Sequence, residues 1–314
     1  MSNSESSKVC FYTTPSPDYA KEIVAAFESK YPGSKVRFDH DHAARFFTRV
    51  LTELTEGRCP ADVMLLNRQQ AEALKQCGFL QPYRSAEAQS FPERAQDADG
   101  FATQVFMVPF SLAYHSEKLA RAEVPTTYEA LLHSRWKDQL LFPDPRLSGS
   151  GSGWYAIMKD EMGEDYLRQL ATQNLLCRQH AEDRLAAGEG TILIAAMIDR
   201  IEKLKFKGAP VNWLTMPVMM VAGPHAVLFR AASNPEAGKR LIDFFLSETG
   251  QTIMSRYHIP NRPGINMRDP MFAGELERLQ GCRLTTFNSQ HGRDYQMNQS
   301  SCVELFTHSN GEEQ

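Results

Sequence analysis

The sequence predicts an α/β protein built from two lobes. Its 314 residues exceed the size of a typical single domain, so two compact parts with separate cores are expected. Strand-like and helical segments alternate over residues 8–67, which is typical of a parallel sheet covered by helices. A second series of strands and helices follows a long extended stretch at residues 101–114. Together these observations indicate two α/β lobes joined by an extended connection.

The first lobe begins with short β-branched or apolar segments that alternate with segments of helical periodicity. Pro32-Gly33 ends the first helical segment, and Gly78 closes the last one. In order, the segments are the strand KVCFYTT (8–14), the helix DYAKEIVAAFESKY (18–31), the strand SKVRFDH (34–40), the helix HAARFFTRVLTELTEG (42–57), the strand ADVMLLN (61–67) and the helix QQAEALKQCGFL (69–80).

The second lobe follows the extended segment ATQVFMVPFSLAYH (102–115), which Pro109 interrupts. We expect a hinge near residues 105–112 and 218–228, and no regular structure in the polar tail beyond Arg268. The remaining segments are a helical stretch around a proline turn (116–136), LLFPDP (140–145), the helices WYAIMKDEMG (154–163) and EDYLRQLATQ (164–173), the strand GTILIAAM (190–197) and the amphipathic helix NPEAGKRLIDFFLSETGQTIMSR (234–256).

A serine- and glycine-rich stretch, DPRLSGSGSGWYAIM (144–158), precedes the helix expected from Trp154. It is either a flexible linker or a ligand loop. Ser152-Gly153 directly before an apolar helical run is typical of an N-cap, where free N–H groups and the helix dipole attract an anion. We expect Gly151 to let a ligand approach the backbone and Ser150 and Ser152 to donate hydroxyl groups. The alternative is an N-cap with a purely structural role.

Composition excludes several classes of protein. The net charge of −4 and the absence of a basic run argue against a nucleic-acid-binding protein. No run of apolar residues is long enough for a membrane span, and MSNSESSKVC lacks the features of a signal peptide, so a soluble chain is expected. The six cysteines form no C-x-x-C pair, which argues against a zinc site. A disulfide is plausible only between Cys282 and Cys302.

Six stretches of the sequence resemble the type II periplasmic substrate-binding proteins of ABC importers, in the branch that binds ferric ions, organophosphates and aminoethylphosphonate. The most specific stretch is NPEAGKRLIDFFLSETGQ (234–251), a helix preceded by Asn-Pro and ended by a Ser-Glu-x-Gly-Gln turn. The others are FYTTPSPDYAKEIVAAFESKYPGSKVRF (11–38), ADVMLLNRQQAEALKQCGFLQPY (61–83), AYHSEKLARAEVPTTYEALLHSRWKDQLLFPDP (113–145), AAGEGTILIAAM (186–197) and KGAPVNWL (207–214).

The resemblance implies two lobes that close around a ligand held in the cleft between them. Lobe 1 would comprise residues 1–108 and 225–314, and lobe 2 residues 109–224. The tail, residues 269–314, would pack on lobe 1 or be partly disordered. The resemblance also implies a monomeric periplasmic protein that needs no cofactor and delivers its ligand to an ABC permease of the inner membrane. A cytoplasmic location is the alternative, because the given sequence shows no signal peptide.

A small anion, such as a phosphonate, an organophosphate or a carboxylate, is the expected ligand. Helix N-termini after TTPSPD, DHAA and SGSGSG would converge on the implied cleft, where amide and hydroxyl groups hold anion oxygens. Arg68 would add a bidentate contact, and Asp199 would receive a ligand ammonium; a solvated helix start and an exposed carboxylate are the alternatives. The candidate ligand-binding residues are Thr13, Thr14, Ser16, His42, Asn67, Arg68, Ser148, Ser150, Gly151, Ser152, Met197, Asp199 and Tyr257.

Tyr257, together with Arg262, would lie at the cleft rim, and packing within a lobe is the alternative role for both. A ferric ion is the less favoured ligand. The related ferric binders use a pair of adjacent tyrosines, whereas Ala195, Ala196 and Met197 stand at that place here. No metal site is therefore expected.

Two other classes of function use the same fold. An enzyme would need a nucleophile with a basic partner, and neither Cys10 nor Cys177 has an evident histidine beside it. A cytosolic ligand-sensing module is compatible with the missing signal peptide. The sequence favours a solute-binding protein of an ABC importer over both alternatives.

Overall fold

The computed structural model describes residues 7–15, 17–41, 43–59, 61–269, 272, 275–279 and 281–307, which fold into two α/β units. Unit 1 comprises residues 1–107 and 223–270, and unit 2 comprises residues 108–222 and 271–314. The chain therefore passes three times from one unit to the other. The α/β class and two-part architecture expected from the sequence are confirmed.

The strands are short and apolar on their buried sides, as their residue types predicted. They are β1 (Ser7–Thr13), β2 (Ser34–His40), β3 (Val63–Leu66), β4 (Leu80–Gln81), β5 (Ala102–Gln104), β6 (Phe106–His115), β7 (Leu140–Pro143), β8 (Leu176–Arg178), β9 (Ile192–Met197), β10 (Val211–Leu214), β11 (Val218–Ala222), β12 (His225–Phe229), β13 (Ile259–Pro260) and β14 (Arg283–Thr286).

The helices carry apolar stripes that pack on these strands. They are α1 (Pro17–Lys30), α2 (Ala43–Thr55), α3 (Arg68–Gln76), α4 (Gly149–Ala171), α5 (Ala181–Ala186), α6 (Ile198–Phe206), α7 (Pro235–Leu246), α8 (Glu248–Met254), α9 (Glu275–Leu279), α10 (Ser289–Arg293) and α11 (Tyr295–Thr307). Residues 116–136, expected to be helical around a proline turn, form only short 3-10 helices, Arg121–Glu123, Glu129–Leu132 and Ser134–Trp136.

Unit 1 is built on a sheet in the order β2-β1-β3-β12-β4, with β5 also paired to β12. β1 runs parallel to β2 and β3, whereas β12 is antiparallel to β3, β4 and β5. Phe11 of β1 packs against Phe245 of α7, with ring centroids 5.0 Å apart. The parallel arrangement of the first three strands places the ends of β1 and β3 at the same edge of the sheet.

Unit 2 is built on a sheet in the order β14-β11-β6-β9-β7-β8, with β10 also paired to β6. β7 lies parallel to β8 and β9, whereas β6 is antiparallel to β9, β10 and β11. The chain's three tryptophans, Trp136, Trp154 and Trp213, are all buried in this unit. Gly163, with φ of 82°, divides α4 into two helical segments, as the sequence predicted.

The C-terminal segment belongs to unit 2. β14 pairs in parallel with β11, and α11 packs against α4. Phe306 is buried against Phe142 and Tyr155, with ring centroids 5.1 and 5.8 Å apart. The expectation that residues 269–314 pack on lobe 1 is therefore wrong. The segment is polar on average, but its buried Phe306 packs against α4 through Tyr155.

Cys282 and Cys302 are both free thiols, so the plausible disulfide is not formed. Cys302 is buried in α11, whereas Cys282 follows α9 and is half-buried. Their nearness in sequence does not bring the two thiols together, because the intervening residues form a strand and two helices.

Candidate functional site

A polar edge of unit 1 gathers several of the predicted ligand residues. Thr13 pairs with Leu65 across β1 and β3, and His225 at the start of β12 lies between Leu66 and Gln104. The carboxyl ends of β1, β3 and β5 therefore meet the amino end of β12 along one line. We call the six residues Thr13, Thr14, Asn67, Arg68, Gln104 and His225 the polar edge.

Thr13 and Thr14 differ in what their hydroxyl groups contact. Thr14 is half-buried, and its Oγ1 donates to the Leu65 carbonyl oxygen at 3.3 Å. Thr13 is fully buried, and its Oγ1 has no hydrogen-bond partner among the residues that the structure describes. A buried hydroxyl without a partner costs about 1–3 kcal/mol. Thr13 therefore supplies an open hydrogen-bonding group at the start of the segment that leads into α1.

Asn67 and Arg68 begin α3 and have structural contacts within unit 1. Asn67 is the N-cap, and its Oδ1 accepts from the Gln70 N–H at 2.9 Å. Arg68 donates to Asp97 at 2.9 Å, and Lys75 lies 3.2 Å from the same carboxylate. Burial alone would raise the pKa of Asp97, but the Phe101 N–H, Arg68 and Lys75 together hold it below its usual value. This ion pair occupies part of the Arg68 guanidinium, so the solvated alternative is wrong.

His225 and Gln104 are members of the polar edge that the sequence reasoning missed. His225 is buried, and its Nδ1 lies 3.1 Å from the Gly223 carbonyl oxygen. Burial, with the nearby charge of Arg68, lowers the pKa of His225 to about 3, so its imidazole is neutral at physiological pH. Gln104 precedes, and His225 lies within, the two segments where a hinge was expected, 105–112 and 218–228. This position could have pointed to them, but neither residue forms a recognisable motif.

The serine- and glycine-rich stretch of unit 2 is the first turn of α4 rather than a loop. Its N-cap is Ser148, whose Oγ accepts from the Ser150 N–H at 3.3 Å and lies 2.7 Å from the Ser150 Oγ. The predicted N-cap at Ser152 and the linker interpretation are both wrong, because helical hydrogen bonding begins one turn earlier. Ser148 and Ser150 are half-buried and remain candidate anion contacts.

Gly151 and Ser152 face the interior of unit 2. A Cβ on Gly151 would lie 2.5 Å from the Pro143 carbonyl oxygen, so glycine is needed there for close packing of α4 on β7. Ser152 is fully buried, and its Oγ donates to the Pro145 carbonyl oxygen at 3.4 Å. The predicted role of both residues as direct ligand contacts does not agree with this placement.

Two carboxylates lie at the junction of β9 and α6, the half-buried Asp199 and the buried Glu182 of α5, which accepts from the Met197 N–H at 3.2 Å. Asp199 lies in the first turn of α6, and its Oδ1 has no partner among the described residues. Burial raises the pKa of both Asp199 and Glu182. Lys203 is 3.9 Å from the Asp199 carboxylate, and Met197 is the half-buried N-cap. The alternative that Asp199 is an exposed helix carboxylate is wrong, since its side chain is 16% exposed.

Tyr257 and Arg262 have partners inside unit 1. The Tyr257 hydroxyl donates to Glu22 at 2.7 Å, and Arg262 pairs with Glu87 at 2.7 Å. These contacts agree with the packing role given above as their alternative. Ser16 and His42, the other two predicted ligand residues, lie outside the described residues.

In the part of the chain that the structure describes, no group of three or more His, Cys, Asp or Glu side chains could hold a metal ion. None of the helices described is both long and apolar enough to cross a bilayer.

Comparisons with known proteins agree with this architecture. A relative from Sinorhizobium fredii, the probable ABC transporter periplasmic-binding protein y4fP, is 28% identical over 104 residues, which are 33% of this chain and 28% of that protein. The solved Trichodesmium protein IdiA (FutA), in complex with iron and citrate ligands, has a TM-score of 0.78 and 17% identity, covering 97% of this chain and 100% of that one.

A second similar structure is the periplasmic binding protein AfuA from Actinobacillus pleuropneumoniae with fructose-6-phosphate bound. It has a TM-score of 0.72 and 18% identity, and the match covers 96% of this chain and 99% of that one. At these identities the two structures establish the fold alone.

The family model for bacterial extracellular solute-binding proteins matches residues 60–271, more than half of the chain. This match confirms the resemblance drawn from the sequence, including the expectation of a binding protein rather than an enzyme. The chain belongs to the family of bacterial extracellular solute-binding proteins.

Proposed function

We propose that this chain is the solute-capturing component of an ABC importer and that its ligand is a small anion. The observation that carries the proposal is the polar edge of unit 1, where the buried Thr13 hydroxyl has no acceptor or donor partner among the described residues. Hydroxyl and amide groups at strand ends and helix starts are the groups that hold phosphate or carboxylate oxygens. The ligand would be a phosphonate, an organophosphate or a carboxylate.

The similar proteins support an anionic ligand. AfuA is described with fructose-6-phosphate, and the Trichodesmium protein with iron and citrate, so each structure holds an anion. The relative y4fP is a probable periplasmic component of an ABC transporter, which supports a periplasmic location and a membrane permease as the partner. In this proposal the permease receives the ligand from a monomeric binding protein.

An iron ion alone is the less favoured ligand. Ala195, Ala196 and Met197 follow one another at the end of β9 and supply no phenolate oxygen. The described residues also contain no cluster of metal-binding side chains. We therefore expect the purified protein to remain colourless in ferric salt, because these three residues provide no tyrosinate for a charge-transfer band.

An amine on the ligand would suit Asp199. Its Oδ1 has no partner among the described residues, and a ligand ammonium would both pair with it and offset the cost of burying the carboxylate. This favours 2-aminoethylphosphonate over ethylphosphonate. Asp199→Asn is expected to reduce the preference for 2-aminoethylphosphonate over ethylphosphonate, while leaving the affinity for ethylphosphonate unchanged.

A thermal-shift screen tests the proposal on the purified full chain. The panel is inorganic phosphate, ethylphosphonate, 2-aminoethylphosphonate, fructose-6-phosphate, citrate, ferric chloride and ferric citrate. A ligand at 100 times its dissociation constant stabilises the folded state by about 2.7 kcal/mol, which raises the melting temperature measurably. Stabilisation by at least one iron-free anion supports the proposal. Stabilisation by ferric chloride alone, or by no compound of the panel, contradicts it.

A further inference from the structure

Three polar side chains of unit 1 form a hydrogen-bonded chain that ends at the polar edge. The guanidinium of Arg94 donates through Nη1 to Asn261 Oδ1 at 3.1 Å. Asn261 in turn donates through Nδ2 to Gln104 Oε1 at 2.9 Å and to the Gln104 carbonyl oxygen at 3.2 Å. Asn261 and Gln104 are both buried, whereas Arg94 is half-buried.

The chemistry of these three side chains determines which atoms donate and which accept along the hydrogen-bonded series. A guanidinium carries only donors, so Asn261 must turn its oxygen toward Arg94. The Asn261 amide group then faces Gln104, which must present its own oxygen. Gln104 Nε2 is thereby left pointing away from Asn261. Reversing Asn261 would place its amide group against Arg94 and its oxygen against the Gln104 carbonyl oxygen, so Arg94 and that carbonyl oxygen together determine which side-chain atom Gln104 offers.

Gln104 Nε2 is a buried donor whose acceptor is missing. The atom has no hydrogen-bond partner among the residues that the structure describes, although the side chain is fully buried. Gln104 Nε2 lies beside Gly223, since a Cβ added to that glycine would be 3.2 Å from it. Gln104 itself pairs with His225 in the sheet. Buried amide groups of proteins are nearly always paired, so an acceptor from outside the chain is expected here.

Arg94 also lacks a carboxylate partner in the part of the chain that the structure describes. Its second nitrogen contact is Met107 Sδ at 3.1 Å, which is a weak acceptor without charge. Burial lowers the pKa of Arg94, as expected for a cation that no anion compensates. By contrast, Arg68 and Arg262 of the same unit each pair with a carboxylate.

We propose that Gln104 is a ligand-binding residue whose Nε2 donates to an oxygen of the anionic solute, and that Arg94 and Asn261 are the residues that position it. The positive charge of Arg94, two side chains away, favours an anion over a neutral acceptor at this place. The inference rests on the proposed function and extends it, because it adds a donor at the end of the polar edge opposite Thr13.

Gln104→Glu tests the donor directly. One oxygen of the new carboxylate can still accept from Asn261, but the other replaces the proposed donor by a negative charge. At pH 8, calorimetric titration with inorganic phosphate is expected to show affinity at least about tenfold weaker than that of the wild type. Affinity within about twofold of the wild type would overturn the proposal and indicate that water satisfies the donor.

Gln81→Glu is the matched control. Gln81 pairs with Leu228 at the far end of β12, and its Nε2 already donates to the Phe229 carbonyl oxygen at 2.7 Å. This variant is expected to melt at a lower temperature but to bind phosphate with unchanged affinity. An equal loss of affinity in both variants would overturn the proposal, since it would show a general effect of added negative charge.

Arg94→Met and Arg94→Lys test the positioning role without placing a carboxylate in the core. Methionine removes the positive charge and one of the two contacts that orient Asn261, so phosphate affinity should fall by about tenfold or more. Lysine keeps the charge and still donates to Asn261, so it should restore most of the affinity. Equal phosphate affinity in the wild type and Arg94→Met would overturn the proposal. If Thr13→Val weakens phosphate binding while Gln104→Glu and Arg94→Met do not, this inference fails alone. If the wild type binds no anion, the proposed function fails with it.

Discussion

Thr13 carries a buried hydroxyl that has no partner among the described residues and that, in the proposed function, gains one from the ligand. Because its buried hydroxyl is unpaired, Thr13→Val removes a polar atom without changing the side-chain shape. We expect unchanged or slightly higher stability and ligand affinity lower by about 1 kcal/mol or more, measured by urea unfolding and calorimetric titration.

Thr191→Val is the matched control for this substitution. The Thr191 hydroxyl donates to Gln139 Oε1 at 2.9 Å, so the same change removes an existing hydrogen bond in unit 2. It should lower stability by about 1 kcal/mol and leave affinity unchanged. A loss of stability in Thr13→Val without any loss of affinity would show that Thr13 is only structural.

Asp199 gives the stability of the protein a defined dependence on pH. Burial raises the folded-state pKa of Asp199 above its value in the unfolded chain. The stability that the protonated side chain contributes is therefore present at low pH and is lost as pH rises through the folded pKa. Asp199→Asn removes this loss. The variant should therefore gain stability relative to the wild type between about pH 4 and pH 7. Urea midpoints measured at both ends of this range check it, and a constant difference would contradict it.

The serine and glycine residues of the 247–251 turn have separable roles. Ser247 ends α7 and caps α8, accepting from the Gly250 N–H at 3.2 Å. A Cβ on Gly250 would lie 2.0 Å from the Phe244 carbonyl oxygen. Gln251 donates to Val105 and Phe245 carbonyl oxygens, each at 2.9 Å. The stretch most specific to the family, residues 234–251, thus links α8 through Gln251 to Val105, just before the chain leaves unit 1.

At the scale of elements, two glycines of α4 differ in whether tight packing or helix propensity decides the effect of an alanine. Gly151→Ala should lower the free energy of unfolding by about 1–3 kcal/mol, because the new Cβ would be 2.5 Å from the Pro143 carbonyl oxygen. Gly153→Ala places its Cβ 3.6 Å from Met220 Sδ, an ordinary contact, and gains about 1 kcal/mol of helix propensity at most. Urea unfolding of both variants checks this, and equal effects would contradict the packing role of Gly151.

The local sequence pattern correctly predicted the first strands and helices of unit 1. β2 matches its predicted range, and β1, α1 and α2 agree within one or two residues, since periodicity and terminating glycines act locally. The resemblance placed the end of α7 at the Ser-Glu-x-Gly-Gln turn, where it is observed. Periodicity alone continued the helix to Arg256, because Ser247 within an amphipathic run resembles a helix interior. The start of α4 was placed too late, since three glycines in the first turn resemble a loop.

The candidate site was predictable only in part. Strand ends and helix starts indicated Thr13, Arg68 and Asp199, whose positions follow from the order of elements. Gln104 and His225 could not be found this way, because antiparallel strands distant in sequence bring them to the polar edge. Gly151 was misassigned, since sequence does not distinguish a glycine that faces a ligand from one that faces a carbonyl oxygen.

At the scale of the whole molecule, the tryptophans allow the stability of unit 2 to be followed separately. Phe306→Ala should lower the stability of unit 2 by about 3–5 kcal/mol, because Phe306 is 1% exposed. Phe206→Ala, at a residue 74% exposed, should change it by less than about 0.5 kcal/mol. Tryptophan fluorescence in urea should report the first change, and an unchanged fluorescence midpoint in Phe306→Ala would contradict the placement of α11 in unit 2.

The three passages of the chain between the units determine when each unit can fold during synthesis. Unit 1 needs β12 and α7, which follow the whole of residues 108–222, and unit 2 needs β14 and α11, which follow unit 1. A nascent chain therefore cannot finish one unit before the ribosome has begun the other, in contrast to proteins whose domains follow each other in sequence. Both cores close only in the last stage of translation. Until then the chain stays incompletely folded, a state that chaperones can bind.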